Sequence, residues 1–171
     1  MTADPSRKMW PSLTLSYPMP SSYWLPSHRA DPEVVPLADR HYNRQKVGSP
    51  QFAPPGRCIV FKTPALDAFW ITSWPFAQYV KHAWAGAWVC SAFRNEGPTL
   101  SSLLIREAVQ RTIAHYGAPP DLGMITFVDP KKTRHKRDPG RCFLRAGFKN
   151  VGFTKGGLVA LQLLPADMLP S

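Results

Sequence analysis

The chain is 171 residues long, 44% hydrophobic and 12% aromatic, enough for one domain with a real core and too apolar for global disorder. Its 21 Lys and Arg against 11 Asp and Glu give a formal net charge of +10, a balance that favours polyanionic partners such as nucleic acid. No apolar run approaches the roughly 20 residues of a membrane helix. Pro5, Pro11, Pro18 and Pro20 break up the segment where a secretory signal would be continuously apolar, so the expected location is the cytoplasm.

Nineteen prolines are unevenly placed, six of them within residues 1–32. Residues 1–33 therefore read as a Pro-rich N-terminal arm, with one strand over 12–17, ahead of a domain over 34–171. Residues 36–42 predict a short helix with Pro36 in its first turn. Cys58-Ile59-Val60-Phe61 and Ala68-Phe69-Trp70-Ile71-Thr72 are apolar runs with strand character, as is the stretch 87–93. Together they make an antiparallel meander. The third strand runs into Arg94-Asn95-Glu96-Gly97-Pro98 and then a helix, whose stripe of Ile105, Ala108, Val109, Thr112, Ile113 and Tyr116 faces a core. Gly117 and Pro119 stop it. Residues 124–128 predict a buried strand, 141–146 a short helix ended by Gly147, and 149–154 with 158–163 a closing hairpin around Gly156-Gly157. The fold class is α/β, a mixed, mostly antiparallel sheet flanked by helices.

Three features carry chemistry. At the strand-to-helix step, Gly97, Ser101 and Ser102 leave a helix N-terminus open to an anion, with Arg94 and Asn95 just upstream; Thr99 or Ser101 acting as a plain helix cap is the alternative. From Asp129 to Lys149 there are eight Lys or Arg against two Asp. Within that stretch Lys131, Lys132, Arg134, Lys136, Arg137 and Arg141 are candidates for phosphate-backbone contacts, the alternative being a solvated charged loop. Third, His41-Tyr42 offers a base and a phenol, and Asp129, ending a buried strand, offers a carboxylate for catalysis or for capping the loop after it. Cys58, Cys90 and Cys142 are too far apart for a zinc motif and read as buried thiols. His82, His115 and His135 have no metal-like spacing.

The order of elements, and the run Cys142-Phe-Leu-Arg-Ala-Gly-Phe-Lys-Asn-Val-Gly-Phe-Thr154, resemble the GNAT acyltransferase superfamily. The superfamily's glycine-rich pyrophosphate loop is replaced here by Arg94-Asn-Glu-Gly-Pro-Thr-Leu-Ser-Ser102, which has one glycine. Within the superfamily the chain is similar to the bacteriophage Mom DNA-modification proteins over about residues 34–163, on the order and separation of His41, Tyr42, Arg94 and Asp129. The resemblance implies a GNAT-like catalytic domain, with those four residues as the catalytic set and Arg94, Asn95, Gly97, Ser101 and Ser102 around the cofactor. It implies a transferase that alters adenine N6 in DNA with a glycinamide-type group, protecting the DNA from restriction in a bacterial host cell. The donor would be acetyl-CoA or another acyl or aminoacyl compound, and a metal ion, if used, would sit on His41, Tyr42 and Asp129. The alternatives are an N-acyltransferase for a small-molecule or protein amine and a non-catalytic DNA-binding protein. A dimer is compatible with such a domain, although nothing in the sequence selects an oligomeric state.

Overall fold

A computed structural model describes residues 22–133 and 139–168. Along the chain lie β1 (Leu25–Ser27), α1 (Val35–Asp39), β2 (Cys58–Lys62), β3 (Ala68–Ser73), β4 (Trp88–Asn95), α2 (Ser101–Tyr116), β5 (Met124–Val128), α3 (Arg141–Arg145), β6 (Lys149–Phe153) and β7 (Val159–Leu163). The strands form one sheet in the order β1-β2-β3-β4-β5-β7-β6, antiparallel throughout except for the parallel pair β4–β5. The α/β class and the mixed, mostly antiparallel sheet are thus as the sequence predicts.

β3 is buried along its whole length, and its alternation shows why the sheet has two covered faces. Ala68 and Trp70 pack into the large cluster under α2, with Trp88, Leu104, Ile105 and Met124. Phe69 and Ile71 face the other way, onto Val34, Leu37 and Ala38 at α1. α2 is fastened through its apolar stripe and through polar pairs that need burial to matter: Thr72 and Thr112 hydroxyls 3.1 Å apart, and the Trp24 indole N–H donating to the Leu104 carbonyl at 2.8 Å.

That last bond corrects the expected arm. Part of it joins the sheet: Trp24 is fully buried and β1 pairs with β2 from Leu25↔Lys62 to Ser27↔Val60. Proline density misleads here because an edge strand tolerates a residue without an N–H, as Pro26 does. The strand expected over 12–17 lies outside the described residues. α1 is shorter than predicted, ending at Asp39, so His41 and Tyr42 sit in the turn after it. None of the three cysteines forms a disulfide; Cys90 is buried, whereas Cys58 and Cys142 are half-buried.

Candidate functional site

The site exists because two parallel strands separate. β4 pairs with β5 over Trp88↔Met124, Val89↔Ile125 and Cys90↔Thr126, and no further, although β4 runs on to Asn95. The Thr126 hydroxyl takes the Cys90 carbonyl at 3.0 Å on that last rung. At the same point β4 skips a residue against β3, where Ile71 pairs with Ala92 and Thr72 with Cys90, leaving Ser91 as a bulge. Bulges bend and over-twist a strand, and this one turns β4 away from its parallel neighbour.

Beyond Cys90 the backbone acceptors of β4 on that side lack a strand partner, and buried carbonyls must find one. The turn after α1 supplies it. Asn43 Nδ2 donates to the Ser91 carbonyl at 3.2 Å, and His41 lies against the Phe93 carbonyl. His41 is only 9% exposed, stacked on Tyr42 with ring centroids 4.7 Å apart and edge-on to Phe69. Burial, reinforced by the nearby Arg94 charge, lowers the His41 pKa below its ordinary value. The Asn43 side chain and the Phe93 carbonyl pull the other way, since both favour the protonated ring. The imidazole is therefore neutral near neutral pH, and its Nδ1 accepts the Asn43 backbone N–H at 3.2 Å. Burial raises the Tyr42 pKa, against the pull of the Asp129 backbone N–H and with the help of nearby Cys90 and of Asp129's carboxylate. The phenol therefore stays protonated near neutral pH, its oxygen accepting the Asp129 backbone N–H.

The gap between the diverging strands is a cleft of about 510 Å³. Its lining includes His41, Tyr42, Arg94, Asn95, Ser101, Ser102, Lys132 and Arg141, together with Arg145 and Cys142. Four guanidinium or ammonium groups (Arg94, Lys132, Arg141, Arg145) border it and no carboxylate does, among the described residues. Lys132 reaches across to the Tyr42 carbonyl at 3.4 Å, with its ammonium 5.9 Å from the Tyr42 ring centroid. Lys132, Arg141 and Arg145 of the basic stretch thus border the same cleft as the His-Tyr pair. Arg94 does not stand alone: its Nε lies 2.6 Å from Glu96, which also holds Arg40 at 2.7 Å. Hydrogen bonds from Arg40 and then Arg94 hold the Glu96 carboxyl at about 2. Two cations share one anion, so the group keeps a net positive charge.

The α2 N-terminus opens onto the cleft with no side-chain cap; Leu100 occupies the cap position. Thr99 and Ser101 do not cap it, because Asn95 Nδ2 holds the Thr99 carbonyl at 2.7 Å and the Ser101 hydroxyl at 3.0 Å. The first two residues of the helix, Ser101 and Ser102, thus line a cationic cleft, while the Leu103 N–H is taken by the Leu100 carbonyl.

Two expected residues play other parts. Gly97 does not line the cleft: it leaves room for the Asp67 carboxylate, which a Cβ there would strike. Asp129 also lies off the lining. Its carboxylate accepts the Lys131 N–H at 2.9 Å and its carbonyl takes the Thr133 hydroxyl at 2.8 Å, so it caps the loop and meets the site through Tyr42. Lys131 is exposed outside the lining, and Arg134, Lys136 and Arg137 lie outside the described residues. No group of three or more His, Cys, Asp or Glu among the described residues is placed to hold a metal. Asn43 and the Phe93 carbonyl were missed by sequence reasoning. A backbone carbonyl has no sequence signature, and Asn43 gains its role only because β4 leaves β5.

No protein-family model, no curated protein and no solved structure matches this chain. No helix among the described residues is long and apolar enough to cross a membrane.

Proposed function

We propose that the chain is a DNA-modifying transferase of the Mom-like kind, joining a carbon of an acyl or aminoacyl donor to the exocyclic N6 of adenine. The observation that carries this reading is the His41 ring stacked on Tyr42 in a cleft bordered, among the described residues, by four cations and no carboxylate. Lys132, Arg141 and Arg145 suit the phosphates of a nucleic acid, and Lys131 extends the same surface. Arg94 and the uncapped α2 N-terminus near Ser101 and Ser102 suit an anionic part of the donor.

In the reaction the N6 lone pair forms the new C–N bond as the donor's leaving group departs with its electron pair. His41 takes the amine proton at Nδ1, giving up the Asn43 backbone N–H that this nitrogen accepts at 3.2 Å, and the imidazolium is held by the Phe93 carbonyl. The Tyr42 phenol donates a hydrogen bond to the charge developing on the donor side. Asp129 fixes the loop that carries Lys131 and Lys132 and sets the Tyr42 environment. It is a positioning residue in this scheme, and no step runs through a metal.

The test is mass spectrometry of nucleosides from the DNA of cells expressing the protein. A mass-shifted deoxyadenosine is expected with the wild-type chain and none with His41→Ala. Unmodified DNA together with acyl transfer from acetyl-CoA to a small or protein amine would replace this reading with a general N-acyltransferase. DNA binding with neither activity would leave a non-catalytic DNA-binding protein.

A further inference from the structure

His41 stands in two walls. A second chamber, of about 320 Å³, lies against the other side of the His41–Asn43 turn and shares His41, Asn43, Ser91 and Ala92 with the cationic cleft. Its volume is at the lower end of small-ligand sites, roughly 300–1,000 Å³. The two cavities differ in chemistry. The chamber has one charged lining residue, Arg44, and that guanidinium is fully engaged, by Asp39 at 2.9 Å and by the carbonyls of Ser49 at 2.6 Å and Gln51 at 3.1 Å. An anion would find no unpaired cation there.

The chamber offers flat apolar surface and amides instead. Buried Phe69 and Ile71 form its floor, and Phe52 stands edge-on to Phe69 with centroids 6.1 Å apart. Exposed Gln45 and Gln51 lie at its rim. Gln45 donates to the Asn43 carbonyl at 3.2 Å and keeps its own amide oxygen as an acceptor, while Gln51 holds Arg44 through its backbone and not its amide. The walls are anchored: the Phe52 N–H donates to the Arg29 carbonyl at 3.0 Å, and Arg29 in turn holds the Pro54 and Gly56 carbonyls. An aliphatic ligand would leave the amides unmatched, whereas a planar, uncharged ring with donors and acceptors along its edge can stack on one of the two phenyl rings, which stand 83° apart, and meet the amides with its edge. Side-chain amides pair well with the N6/N7 edge of adenine.

We infer that this chamber receives a purine base, the extruded target of the proposed transfer, and sets its exocyclic amine against His41 while the phosphates remain in the cationic cleft. The role of the base as target rests on the function proposed above; the affinity of the chamber for a free nucleoside does not. The probe is adenosine, a riboside that carries the N6 amine, titrated by calorimetry, alongside anisotropy of a labelled DNA duplex at low salt. Ala53→Trp fills the chamber and keeps every polar group; Phe52→Ala removes an aromatic wall. Each should weaken nucleoside binding about ten-fold or more, the size of one lost base–aromatic contact, and leave duplex affinity within about two-fold. Lys132→Ala with Arg141→Ala should do the reverse. Wild-type protein that does not bind the riboside at millimolar concentration overturns the inference, as does unchanged binding by both chamber variants with native circular dichroism. Riboside binding that the chamber variants abolish, in a protein that ignores duplex DNA, upholds the chamber and removes the DNA reading.

Discussion

The two ends of β4 do different work, one apolar and buried, the other largely polar and half-buried. From Trp88 to Cys90 the strand has a neighbour on each side and packs Trp88 and Cys90 into the main core. Burial keeps the Cys90 thiol protonated. From Ser91 to Asn95 the strand keeps β3 but has lost β5, and its carbonyls are met by Asn43 and His41. Where the sheet is complete the chain gains stability. Where it splits, the unpaired backbone recruits polar side chains from a distant turn and leaves a cleft beside them. The side chains that repair the sheet are the ones able to do chemistry.

If that division holds, the largest stability loss comes from the paired end. Trp88→Ala should cost about 3–5 kcal/mol, read from the urea midpoint, with little direct effect on the cleft in whatever fraction stays folded. A His41→Ala loss as large as this would mean that stability is not concentrated where the strands pair. His41→Ala should instead cost about 1 kcal/mol, because water in the cleft can replace the imidazole at the Phe93 carbonyl, while abolishing modification. Gly140 sits at φ +77 where α3 begins, its missing Cβ leaving space for Leu161 and Val128. Gly140→Ala should therefore cost about 1–3 kcal/mol through overpacking and disturb Arg141 at the cleft edge. Asn43→Ala should cost about 0.5–1.5 kcal/mol, the value of one carbonyl acceptor at the split.

The pH dependence sharpens the same contrast. The His41 pKa is lowered in the fold, so the unfolded chain takes up a proton first as pH falls. The stability carried by the neutral ring is complete above about 6.5, the ordinary imidazole value, and is lost as pH drops below it towards the folded pKa. His82 is lowered by burial as well and acts with the same sign. In a His82→Ala background, His41→Gln should flatten the remaining slope of unfolding free energy between pH 6.5 and 5; an unchanged slope would place the titration elsewhere. The smallest stability effects belong to the cleft cations. Lys132→Ala and Arg141→Ala should each move stability by no more than about 0.5 kcal/mol and make the log–log salt dependence of DNA affinity shallower by about 0.9 per lost contact.

Most of the fold is legible in the sequence because its elements are short, apolar and well punctuated. Ala68 to Ser73 reads as a strand because both faces are apolar, and the stripe from Ile105 to Ile113 reads as a helix because one face is. β1 was hidden: three residues with Pro26 at the centre carry no periodic signal, and only their pairing with β2 defines them. The candidate site was legible by residue type, in His41, Tyr42, Arg94 and Lys132, but not by role. Asp129 illustrates the gap, since a carboxylate after a buried strand reads equally as a catalyst or a loop cap, and only the structure shows its carboxylate accepting the Lys131 N–H at 2.9 Å.

The sequence by itself determined the periodicities, the stops and the excess of positive charge, all properties of neighbouring residues and of composition. Only the tertiary structure decided where β4 parts from β5. That divergence depends on the bulge at Ser91, on Thr126 closing the last rung, and on a turn some fifty residues earlier in the chain filling the gap. Hydrogen bonds between segments so far apart are set by which backbone groups the rest of the fold leaves unpaired, and no local pattern in the chain records that.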